Sequence, residues 1–182
     1  HREATSYFAV SLKVNRDLKN WANAAKAQRN IAYNLFHLSA TSEGGVDADA
    51  LSESLSHYFR SLEDVGKYRT AETPRERGAL FSLRKVIKLG GQGKAPAEEY
   101  DPKREERLIY TYIGRIYREY GDRRRAIEFF QKKLDLLPTK VDGEGEAAIL
   151  SERSLVQNQI GVILYEMGDL RGALQALRSS LA

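Results

Sequence analysis

Residues 110–138 read YTYIGRIYREYGDRRRAIEFFQKKLDLLP, and the punctuation of this stretch decides the fold. Tyr110, Ile113, Ile116 and Tyr117 recur at the spacing of one helical face. Gly114 interrupts that face at a cost of roughly 1 kcal/mol relative to alanine. A helical pattern keeps such a glycine where a second backbone approaches closely. Gly121-Asp122 then supplies a left-handed closing residue and a cap for a new helix. Ala126, Ile127, Phe130 and Leu134 give the second helix its inner face, and Pro138 stops it.

The rest of the chain agrees with a helical reading. Of its 182 residues 42% are apolar and 30% charged, with four prolines, and Val-Thr-Ile runs are scarce, so the expected class is all-α. The formal net charge of +4 tolerates an acidic partner without demanding one. With no cysteine, disulfides, thiolate metal sites and a cysteine nucleophile are excluded. No apolar run approaches the ~20 residues that span a bilayer. The chain starts at His1 with neither Met nor a signal-like segment, so any targeting segment is expected to lie outside it; the compartment stays open, with the cytoplasm favoured.

Tyr110-x2-Ile113-Gly114-x2-Tyr117, Gly121, Ala126-x3-Phe130 and Pro138 together resemble the tetratricopeptide repeat nearly position for position. The pattern recurs as Ile160-Gly161-x2-Leu164, Gly168-Asp169, Ala173-x3-Leu177 and Leu181. The spacing of 47 residues between Gly114 and Gly161 exceeds the usual period, about 34 residues. The first helix of this last repeat, 146–182, is therefore expected to start early, near Glu146. Upstream, Ile31-Ala32-x2-Leu35 and Ser54-x3-Tyr58-x3-Leu62 make a degenerate repeat over 18–65, its turn expanded by SATSEGGVDAD. Ala4-x3-Phe8-x3-Leu12 has second-helix spacing, which makes 1–16 the second helix of a partial repeat with a turn at Asn15–Asp17. Residues 66–102 fit no repeat: Thr73-Pro74-Arg75-Glu76 caps an inserted helix over 74–89, and a Gly/Pro loop follows. With 103–138 as the best repeat, the resemblance implies a single α-α superhelix carrying one inserted helix, a segment of a larger array.

No constellation of catalytic residues stands out. GGQGKA at 90–95 contains the Gly-Lys of a phosphate loop, but Lys88 and Ala95 break the pattern and a connector is expected. His1, His37 and His57 lack the partners of a metal site, and His57 is expected to face solvent. The carboxylates at Glu98-Glu99, Glu105-Glu106, Glu144 and Glu146 suit loops and helix starts, so neither a cofactor nor enzymatic activity is expected. Arg123-Arg124-Arg125, with Lys103, Arg104, Arg107, Lys132 and Lys133, makes 103–133 basic. A solvated helix face is the first reading of this run, ahead of an acidic protein partner and of nucleic acid.

The resemblance also implies that the first helix of each pair lines a concave groove. The groove candidates are then Arg29, Asn30, Tyr33, Phe36 and His37; Thr111, Tyr112, Arg115, Arg118 and Glu119; and Asn158, Gln159, Val162, Tyr165 and Glu166. Rings bury area, amides satisfy an extended backbone and guanidinium groups pair carboxylates, a mixture suited to a peptide or helix. The carboxylate clamp of some family members looks incomplete, since its positions carry Arg29/Tyr33 and Thr111/Arg115. The expected function is a protein–protein interaction scaffold; the alternative is a regulatory or sensory module of a larger protein. Nucleic acid and membrane insertion are not expected, and exposed repeat ends leave room for self-association.

Overall fold

The computed structural model describes residues 2–40, 45–71, 100–138 and 145–181. All seven elements among them are helices: α1 Arg2–Asp17, α2 Trp21–Leu38, α3 Ala48–Thr70, α4 Pro102–Glu119, α5 Arg123–Asp135, α6 Glu146–Glu166 and α7 Leu170–Ser179. The chain divides into two compact units, His1–Glu106 and Arg107–Ala182, with the boundary inside α4. The inserted helix expected over 74–89 and the glycine loop at 90–95 lie outside the described residues.

In the first unit α2 and α3 run antiparallel and close. Ser61 Oγ donates to the Ala25 carbonyl at 2.8 Å, and Ser54 Oγ to that of Ala32 at 2.7 Å. Such contacts need small residues on both helices, and Ala24, Ala25, Ala27 and Ala32 are all buried. Ile31, Leu51, Tyr58 and Val65 fill the remaining core. The ends of the expanded turn are pinned by an isolated bridge between Ala40 and Val46 and by Asp47 N–H donating to Ser39 O. The turn expected at Asn15–Asp17 falls slightly later, because α1 continues to Asp17. Lys19 takes the left-handed conformation (φ 52°) that glycine takes elsewhere, and Asn20 caps α2 by accepting from Asn23 N–H.

The second unit repeats one design twice. Gly121 and Gly168 adopt φ of 78° and 82°, and Asp122 and Asp169 then cap α5 and α7 through the N–H groups of Arg125 and Gly172. A Cβ on Gly114 would lie 2.9 Å from the Phe130 ring, and one on Gly161 2.8 Å from Leu177 Cγ. Each glycine is thus the contact point of its helix pair. Phe130, Leu134, Leu137, Val156, Ile160 and Ile163 join α5 and α6 in one core, and α6 begins at Glu146 as expected.

Two expectations need correction. Lys133, counted with the basic surface, is buried, its Nζ 3.0 Å from Glu152 Oε1. Glu105 and Glu106 lie near the start of α4, as expected, and are buried there against Arg29 and Arg69. His57 is half-buried, its Nδ1 2.5 Å from Gln28 Nε2, because antiparallel packing turns that side of α3 towards α2.

Candidate partner-binding surface

Within the second unit α4 and α6 lie side by side and point the same way. Arg107 Nε stands 3.7 Å from Glu152 Oε2 near their starts, and Arg118 donates to Glu166 near their ends. Both helices present their exposed faces in the same register relative to the small residue. On α4 these are Leu108 and Arg115, with Thr111 and Tyr112 half-buried between them; on α6 they are Leu155, Asn158, Val162 and Tyr165. Gln159 is partly buried.

The charged candidates have different states. Arg115 lies with its guanidinium carbon 5.6 Å from the centre of the Tyr112 ring, and no carboxylate pairs it among the described residues. The ring holds the cation by its face and leaves the guanidinium edge to a partner. Arg118 is committed to Glu166, which Arg123 also approaches at 3.4 Å. The Arg118 hydrogen bond, with Arg123 behind it, holds the Glu166 carboxyl below the usual carboxylate range. Arg118 therefore stitches α4 to α6 and has little left to offer a ligand carboxylate.

The arginine run has a structural role too. All three arginines are exposed; Arg123 also reaches Glu166, and Arg125 lies 3.4 Å from Asp122 and over the Tyr117 ring.

In the first unit the candidates on α2 divide similarly. Arg29 Nε sits 2.7 Å from Glu105 Oε1, a carboxylate only 5% exposed. Burial raises the Glu105 pKa, and the Arg29 charge offsets only part of that. Tyr100, in edge contact with Tyr68 and beneath the Lys26 ammonium, is pushed upward by burial and by Glu105. Asn30 is partly buried. Tyr33 and His37 are exposed, their ring centres 4.3 Å apart, with Phe36 in edge contact with His37. These three rings form an aromatic patch at the end of α2.

On this surface two exposed apolar residues escaped the sequence reading. Leu108 and Leu155 lie seven residues before Arg115 and Val162, on the same helical faces. That spacing was the available signal; a leucine in a helix is by default assigned to the core. No protein-family model matches the chain, and no curated protein matches it. Among the described residues no group of three His, Cys, Asp or Glu side chains could hold a metal ion. No described helix is long and apolar enough to cross a membrane.

Proposed function

We propose that the chain is a non-catalytic protein-interaction scaffold, a superhelical array of tetratricopeptide-like helix pairs that holds a segment of a partner protein. One observation carries this reading: α4 and α6 are held side by side, and their outward faces combine apolar side chains with the aromatic-backed Arg115. Leu108, Leu155 and Val162 offer area to bury, Tyr165 offers a large ring 66% exposed, and Asn158 offers an amide for a backbone. A rigid scaffold loses little entropy on binding, so such a face can hold a peptide or helix without rearranging. Arg115 adds selectivity for a segment bearing a carboxylate among apolar residues.

Selection from a displayed peptide library tests this. The expected binders place a carboxylate between apolar anchors and lose at least tenfold in affinity (about 1.4 kcal/mol) on Arg115→Glu with Val162→Asp. Binders indifferent to those substitutions would place recognition elsewhere, and failure to select any would sink the reading.

A further inference from the structure

Two exposed apolar faces lie outside the surface just described. Tyr7, Val10 and Val14 of α1, with Leu18 just beyond its end, are 50–78% exposed and fall on one side of the helix. On α7, Leu170 and Leu174 are exposed one turn apart, with Leu181 just beyond the helix end and 89% exposed. Leu177, one turn on from Leu174, is turned the other way, against Gly161. Apolar faces of this kind, flanked by polar side chains, mark interaction sites.

Their charges differ. The exposed side of α1 carries Glu3 and Asp17 with Lys13, and exposed Lys19 follows Leu18. The exposed side of α7 carries Arg171 and Arg178 and no acid. None of these six has an ion-pair partner among the described residues. Face-to-face contact of two α7 helices would bring arginines together, whereas α7 against α1 brings them to carboxylates. Helical arrays are built by stacking one helix face on the next, so each of these faces has the form of a neighbour's mate.

We infer that the exposed face of α7 docks on the exposed face of α1 of a second copy of this chain, a head-to-tail contact in which each molecule offers one face and accepts one. Such heterologous contact does not pair a surface with itself, so association need not stop at two.

Sedimentation velocity of the 182-residue chain across a concentration series tests this. The wild type is expected to show species that grow with concentration. Val10→Lys with Val14→Lys removes the α1 face, and Leu170→Lys with Leu174→Lys removes the α7 face. All four positions are exposed, and unchanged helical circular dichroism would verify the fold. Each double variant alone is expected to be monomeric, while their equimolar mixture forms a dimer and nothing larger, since one intact face of each kind remains. A concentration-independent wild-type monomer would overturn the inference. So would self-association of either variant alone, which would show like faces pairing, or a mixture that stays monomeric.

Discussion

Arg29 illustrates how far a residue's type stands from its role. A guanidinium on the first helix of a pair suits a ligand carboxylate, yet it meets Glu105 of its own chain, which is buried. Removing one member of such a pair leaves the other charge buried and unpaired, which costs more than the pair itself contributes. Arg29→Met is expected to destabilise the protein by about 3 kcal/mol in urea unfolding. Adding Glu105→Gln should recover most of that loss, because the stranded charge is gone. The raised Glu105 pKa fixes the sign of the pH dependence in the single variant: the folded state takes up the proton before the unfolded chain does, so acidification reduces the deficit. A deficit that is flat with pH, or not rescued by the second substitution, would show that Arg29 does not serve this pair. Arg115 contrasts with it: its visible interaction is with the Tyr112 ring, and it is exposed.

Helix pairing depends on small residues opposite larger ones. Phe130 is buried at 1% exposure and has no room to yield, so a methyl on Gly114 overpacks the α4–α5 contact. Gly114→Ala is expected to lower stability by roughly 1–3 kcal/mol, despite the better helix propensity of alanine. An unchanged urea midpoint would mean that the helices separate freely. Between α2 and α3 the corresponding device is polar. Burial, and after it the Arg60 charge, lowers the His57 pKa from 6.5; Glu53 opposes them, and Arg16 adds a lesser lowering. The unfolded chain therefore takes up the proton first, and stability falls as pH drops below 6.5 towards the folded-state value. His57→Gln should flatten that part of the stability–pH curve, as followed by thermal unfolding at successive pH values. An identical slope in both proteins would assign the loss to other groups.

At the scale of the whole molecule, stability and recognition are expected to separate. Arg115 and Val162 are exposed and lie outside the buried cores, so Arg115→Glu with Val162→Asp should change unfolding free energy by no more than about 0.5 kcal/mol. The same variant should lose the binders selected on the wild type. A large loss of stability would instead mean that these residues help to hold α4 and α6 together. The seam between those helices is formed by Arg107–Glu152 and Arg118–Glu166, leaving the intervening faces open.

The all-helical class, the pairings around Gly114 and Gly161 and the turns at Gly121 and Gly168 were legible because they depend on local rules. Period, glycine conformation and capping act within a few residues. The identity of the free charges was not legible. Arg29, Arg118 and Lys133 resemble Arg115 in any window of sequence, and they differ only in which carboxylate packing brings to them: Glu105, Glu166 and Glu152. The partners of Arg118 and of Arg29 lie 48 and 76 residues away, and no periodicity reports contacts over such separations. The same limit hid Leu108 and Leu155, whose helical phase was readable but whose exposure depends on which neighbour covers each face. Local spacing settles which residues share a side of a helix, and packing between helices settles which of those sides is left for a partner.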